Sequence, residues 1–347
     1  MIKTYLAEVA YDRKRGWPHC FIWPILYLFS LLYLLGLSLA RTAYLKGWLK
    51  VCRPKSTVIS IGNITLGGTG KTPLVIMLSH YLRQTGFKAA VLIRGYGPGK
   101  IADEARVLEK NLSGIPVLTG ADRITNAAKA QTEHGADTII LDDGFQHWKL
   151  ARDLDIVCLD SLNPFGNGYL LPRGILREPI SALKRADIIV ITGSGQSEDI
   201  AKDLNSRIKD INPEALIVQA QRTPIYLTGL QDEERLELEL IKDKPISLFC
   251  GIGNPDNFKK TLTSLGARLK AEFIFPDHHL YTPADLEQII TVSQEKGIEK
   301  IITTQKDAVR LDRPENNNNI LVLHIEMRIK LEQQKEFEYR LSRLYNS

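Results

Sequence analysis

Residues Thr57–Thr72 read TVISIGNITLGGTGKT, and this stretch decides the fold. Thr57, Val58, Ile59 and Ile61 are β-branched, the composition of a buried parallel strand. A glycine-rich turn follows, and Thr72-Pro73-Leu74-Val75-Ile76-Met77-Leu78 then opens an apolar helix, with Pro73 in the first turn where a missing N–H costs nothing. Strand, glycine loop, Lys, Thr and helix in this order form the context that a phosphate-binding loop requires. In such a loop the backbone of Thr65, Leu66, Gly67, Gly68, Thr69 and Gly70 curls around phosphate oxygens at a helix N-terminus. Lys71 is then expected to reach the β- and γ-phosphates, and the Thr72 hydroxyl to ligate Mg²⁺. One departure stands out: the usual pattern has glycine at the position of Thr65, so the loop is a variant. An ordinary glycine-rich strand-to-helix turn is the competing reading, and it leaves the Gly70-Lys71-Thr72 ending without a reason.

Working outward, 347 residues predict two domains or one large domain with an appendage. A hydrophobic share of 44% beside 24% charged residues describes a globular chain and implies no long disordered region. The net charge of +5 is too small to argue for nucleic acid, and no nucleic-acid partner is expected. Cys20, Cys52, Cys158 and Cys250 are scattered, without metal-ligand spacing, as in a reduced, cytosol-facing protein.

Upstream of the loop, Phe21–Ala40 (FIWPILYLFSLLYLLGLSLA) is twenty residues without a charge, a length that matches the hydrocarbon core of a bilayer when helical. Trp17, Trp23, Tyr44 and Trp48 flank it as interfacial aromatics do. A cleaved signal peptide and a buried core helix compete with a membrane helix, which is the favoured reading. Basic residues lie on both sides (Lys3, Arg13, Lys14, Arg15; Arg41, Lys46, Lys50, Arg53, Lys55), which favours a monotopic anchor on the membrane surface with both ends cytoplasmic.

Downstream, strand and helix alternate. Apolar runs at Phe87–Ile93, Ile115–Leu118, Thr138–Leu141, Ile156–Leu159 and Ile188–Ile191 predict strands, with helices at Asp103–Leu112 and Ala121–Thr132. This alternation predicts a doubly wound parallel α/β sheet with its ligands at the carboxyl ends of the strands. Around Gln219–Leu240 the pattern changes to short extended pieces and an acidic run, and a second, smaller α/β unit follows. Three segments are therefore expected: a membrane-anchoring region (1–54), a phosphate-loop domain (55–225) and a closing α/β domain (226–347).

Thr138–Leu141 ends in Asp142-Asp143, and an acidic pair closing an apolar strand suits the far side of a phosphate-loop magnesium site. Gln146 and His147 follow within a turn. Transfer of a phosphoryl group to an alcohol also needs a base, for which Asp103 and the loop residue His278 are candidates lying in different predicted domains. Arg177-Glu178 either positions phosphate or acceptor, or simply starts a helix at Pro179.

The set GNITLGGTGKTP, RGYG, LDDGFQH, LLPRGILREP, FPDHH and TTQKDAVRL, in this order behind a hydrophobic helix, resembles the tetraacyldisaccharide 4'-kinase family. The resemblance runs from about Gly62 to Leu311. It implies a two-domain phosphate-loop fold that uses ATP and Mg²⁺ to phosphorylate the 4'-hydroxyl of a tetraacyl glucosamine disaccharide 1-phosphate. The implied location is the inner membrane's cytoplasmic face, and a monomer is expected. By motif position it assigns Lys71, Asp143, Asp103 and His278 to catalysis, Thr72 and Asp142 to the metal, and Gln146, Arg177 and Glu178 to the active site. Two departures are present: Asp103 sits in Ala102-Asp103-Glu104-Ala105 instead of the family's Gly-Asp-Glu-Pro, and only six residues separate it from Tyr96. The alternative reading is a GTPase switch or metal-delivery protein, since Thr304-Gln305-Lys306-Asp307 satisfies a loose guanine-reading pattern. Against it, Leu141 stands where a switch GTPase places its aspartate.

Overall fold

The computed structural model describes residues 19–94, 100–193, 198–230, 234–277, 279–311 and 319–345. Contacts divide the chain into two compact units.

The first unit is built on seven strands: β1 (Thr57–Gly62), β2 (Ala89–Ile93), β3 (Val117–Thr119), β4 (Thr138–Asp142), β5 (Leu154–Asp160), β6 (Ile188–Thr192) and the start of β7 (Leu216–Gly229). They run parallel in the order β7-β6-β5-β1-β4-β2-β3. The phosphate-loop strand is thus central. Its residues Val58, Ile59 and Ile61 are fully buried, as expected of a strand covered on both faces. In register, Ile61 pairs with Asp142, so the sheet itself sets the end of β4 beside the glycine loop. Packing tightens this junction: a Cβ on Gly62 would lie 2.5 Å from the Phe145 Cβ, so only glycine fits under the turn that follows β4.

An apolar helix, His19–Leu45, also belongs to this unit. Its stretch Ile22–Leu45 is long and apolar enough to cross a membrane. Leu26 and Ser30 are buried, whereas Ile25, Leu28, Phe29, Leu32, Leu35 and Leu39 are each more than half exposed. One stripe docks and the rest is bare, unlike a buried core helix.

The second unit contains β8 (Arg235–Leu236), β9 (Pro245–Cys250), β10 (Arg268–Ile274), β11 (Lys300–Thr304) and most of β12 (Ile320–Ile329). Four of these run parallel in the order β10-β9-β11-β12, and β8 pairs antiparallel with the far end of β7. Ile246, Leu248, Phe258, Leu262, Ile302 and Leu323 form one side of its core.

The unit boundaries differ from the expected continuous segments in two places. Residues 100–113, whose helix carries Asp103, belong to the second unit and not to the phosphate-loop unit. The helix Lys100–Asn111 is anchored there by the Asn111 Oδ1, which accepts from Gln305 Nε2 at 2.9 Å, and by Arg106, which donates to the Val309 carbonyl at 3.3 Å. Conversely, residues 328–345 return to the first unit. There Tyr345 stacks on Phe87 with ring centroids 3.7 Å apart, and its hydroxyl lies 2.9 Å from that of Thr138. Both differences arise because chain order carries no information about where a helix buries its apolar side.

Candidate active site

Within the first unit, the loop after β1 places Gly67 (φ 116°) and Gly70 (φ 87°) in the left-handed region that favours glycine. Gly70 is also the residue that caps the helix Lys71–Gln84. Thr65, at the departing position, is buried, and its backbone forms an isolated bridge with Leu176. Thr69 is held at both ends: its hydroxyl accepts from Asn63 Nδ2 at 3.0 Å and its carbonyl from the Thr192 hydroxyl at 2.8 Å. Leu66 is 43% exposed, while its N–H donates to the Ile175 carbonyl.

Facing the loop is the acidic turn after β4. Asp143 has φ 52°, an uncommon backbone for a side chain with a Cβ. Arg123, 1% exposed, holds this turn from behind by donating to the carbonyls of Asp142 and Asp143. The Asp143 carboxylate accepts from Arg177 at 2.7 Å, and Lys71 Nζ lies 3.6 Å from the same oxygen. Burial alone would raise the pKa of this carboxyl; Lys71, then Arg177 and Arg123, outweigh it and hold Asp143 at about 2. Two cations therefore converge on one ionised carboxylate.

Arg177 also donates to Asn63 Oδ1 at 3.1 Å, and Gln146 Nε2 donates to the Asn63 carbonyl and to Glu178 Oε1. Glu178, 3% exposed, is clamped in turn by Arg185 at 2.8 and 3.0 Å. Arg185 comes from a short 3₁₀ helix, Ile180–Arg185, which follows Pro179 as the alternative reading of Arg177-Glu178 anticipated. The pair starts that helix and also joins the site. Burial, then Arg123, Arg152 and Lys149, push the neighbouring His147 down to about 4, so its ring is neutral.

Lys71, Asp143, Gln146, Arg177 and Glu178 are thus brought together by hydrogen bonds and ion pairs, and Asp142 is placed by register. Thr72 lies in the first turn of the helix beyond Gly70. The side chain of Asp103 and all of His278 lie outside the described residues, so this pair rests on the sequence. Sequence reasoning did not single out Asn63, Arg123 or Arg185. Asn63 stands within the quoted loop motif; Arg123 and Arg185 carry no local signal, since their targets are 19 and 7 residues away.

The residues fit a nucleotide and its metal. A single hydroxyl, a single buried strand-end carboxylate and a glycine loop are what Mg²⁺ needs when phosphates and water complete its octahedron. Among the described residues no group of three His, Cys, Asp or Glu side chains forms a dedicated metal cage. The guanine-reading possibility at Thr304–Asp307 does not survive. Asp307 is fully buried and accepts from Gly251 N, the Tyr281 hydroxyl, Arg310 and the Thr304 hydroxyl, which leaves no side for a base.

A central parallel strand, a glycine loop closing on Lys71 and an acidic end on the adjacent strand define a protein of the phosphate-loop nucleotide-binding class. A family model described as tetraacyldisaccharide-1-P 4'-kinase matches residues 22–346, and the chain belongs to that family. It is 39% identical over 332 residues to a tetraacyldisaccharide 4'-kinase from Syntrophus aciditrophicus, covering 88% of each chain. It is 37% identical over 331 residues to one from Halothermothrix orenii, covering 84% of this chain and 85% of that one. Among solved structures, an "apo" form of LpxK from Aquifex aeolicus in complex with ATP matches with a TM-score of 0.71 and 28% identity, covering 92% of this chain and 99% of that chain.

Proposed function

We propose that this chain transfers the γ-phosphate of ATP to the 4'-hydroxyl of a tetraacyl glucosamine disaccharide 1-phosphate, a step of lipid A biosynthesis. The observation that carries this reading is the convergence of Lys71 and Arg177 on Asp143 beside a glycine loop, in a chain of this family. Thr72 and Asp142 would hold Mg²⁺, which supplies charge neutralisation on the phosphates when bound. Phosphoryl transfer asks the protein mainly for positioning and electrostatic stabilisation. Lys71 supplies positive charge where negative charge develops, and the carboxylate 3.6 Å away holds its ammonium over the loop.

A carboxyl with a pKa of about 2 is a poor proton acceptor, so Asp143 orients the cations and leaves the proton to another group. Asp103 with His278 is the proposed base unit. If they act together, Asp103→Ala and His278→Ala should cut turnover by similar factors, and the double variant should be scarcely worse. The bare apolar face of the first helix supports seating on a membrane surface, and the ATP requirement supports the cytoplasmic face of the inner membrane. The proposed form is a monomer.

The deciding measurement is transfer of labelled γ-phosphate to the lipid disaccharide in mixed micelles. No transfer, or a strong preference for GTP over ATP, would overturn the reading.

A further inference from the structure

Residues Tyr169–Glu178 form a strap between the apolar helix and the phosphate loop, both within the first unit. On the loop side, Leu66 N donates to Ile175 O and Arg177 N donates to Ile64 O, each at 2.7 Å. On the helix side, Trp23, Tyr27, Ser30 and Tyr33, spaced four, three and three residues apart on one stripe, meet the strap, and Tyr27 packs edge-on against Tyr169. Arg173, 7% exposed, lies over the rings of Trp23 at 4.6 Å and Tyr169 at 4.7 Å. The Ser30 hydroxyl donates to Leu170 O at 2.8 Å and accepts from Arg173 N at 3.2 Å. The Tyr33 hydroxyl donates to Arg177 O at 2.9 Å.

Arg177 is therefore gripped three ways: its carbonyl by the helix, its N–H by the loop, and its guanidinium by Asp143 and Asn63. A polar side chain on an otherwise apolar helix is costly in lipid, so a hydroxyl bonded to an active-site backbone there has a specific use. We propose that Tyr33 is a positioning residue. Its hydroxyl fixes the backbone of Arg177, and so the guanidinium that holds Asp143 against Lys71, while Ser30 secures the other end of the strap. The apolar helix is then part of the catalytic frame as well as an anchor. This inference rests on the kinase reading for its kinetic arm only.

The test is Tyr33→Phe in the full chain, in mixed micelles with the lipid disaccharide and ATP. It removes one hydroxyl and keeps the ring and its apolar contacts. A fall in kcat of about three- to tenfold is expected, the size of one hydrogen bond, with KM for the lipid and binding to phosphatidylglycerol vesicles unchanged. In an Arg177→Ala background the same change should have almost no further effect, because Tyr33 acts through that guanidinium. Amide exchange should quicken in the peptide 169–178 of Tyr33→Phe, and at its Leu170–Arg173 end in Ser30→Ala. Equal losses in both backgrounds, a loss carried by KM or vesicle binding, or unaltered exchange would each overturn the proposal. The exchange arm needs no turnover, so absence of wild-type transfer would count against the kinase reading and not against the strap.

Discussion

Two aspartates sit just beyond the ends of parallel strands, one in each unit, and they do opposite things. Asp143, past β4, keeps a quarter of its side chain exposed and gathers Lys71 and Arg177 from different elements. Asp307, past β11, is sealed: both oxygens are occupied by Gly251, Tyr281, Arg310 and Thr304. Their places at strand ends are alike, as is their pairing with an arginine. What separates a site from a strut is whether the surrounding chain satisfies the carboxylate completely. A satisfied acid has nothing left for a ligand, whereas cations drawn to one partly open carboxylate can be shared with phosphate.

That contrast can be broken or sharpened experimentally. The largest effect is expected at the strut. Asp307→Asn leaves the Arg310 guanidinium buried beside a neutral amide, and urea denaturation should show a loss of about 3–5 kcal/mol. A loss near zero would mean that Asp307 is not structural. At the site the larger effect is on rate: Lys71→Ala should lower kcat about 10²–10³-fold, roughly 3–4 kcal/mol of barrier, while the protein stays folded. Near-normal turnover would remove the phosphate-loop assignment.

Next comes His324 in the second unit. Ile325 N donates to Gln305 Oε1, which fixes the amide so that Gln305 Nε2 points at His324 Nδ1. The ring is then neutral, with its Nε2 proton directed to Thr228, 3.0 Å away. Burial, then Lys110 and Arg235, depress its pKa to about 4 from 6.5. Between pH 6.5 and 4 the unfolded state binds the extra proton, so the stability present above 6.5 falls by about 3 kcal/mol as pH drops through this window. His324→Gln should flatten that slope as read from melting temperatures against pH.

Asp143 titrates lower. Its folded pKa of about 2 against 3.8 contributes about 2 kcal/mol, present above pH 4 and lost as pH falls toward 2. Asp143→Asn should therefore be less stable than wild type by about this amount at pH 7, with the gap closing in acid. The smallest effect is a preference that should be missing: GTP should not outcompete ATP in an equilibrium binding assay, because Asp307 has no face to offer a guanine. Tight, selective GTP binding would reopen the comparison.

Much of this architecture was legible because buried parallel strands announce themselves as short β-branched runs. Val58–Ile61, Thr138–Leu141 and Ile188–Ile191 are strands for that reason alone. Less visible was β7, whose residues Gln219, Gln221, Arg222 and Pro224 interrupt any apolar pattern in a strand that runs from one unit into the other. The helix Glu198–Ile211 is also hard to see, because Leu204, Ile208 and Ile211 carry its spacing among many charged residues. Thr304-Gln305-Lys306-Asp307 illustrates the reverse error, a local pattern that fits a function its burial forbids.

By itself, the sequence determined the phosphate loop, the acidic strand end, the apolar helix and the family, since each is written in contiguous residues whose spacing and chemistry suffice. Only the tertiary structure decided that Asn63 and Arg123 brace the site, that residues 100–113 and 328–345 change units, and that Tyr33 touches Arg177 across 144 positions. Those facts depend on which buried polar groups find partners, and a partner brought in by folding leaves no mark in the neighbouring sequence.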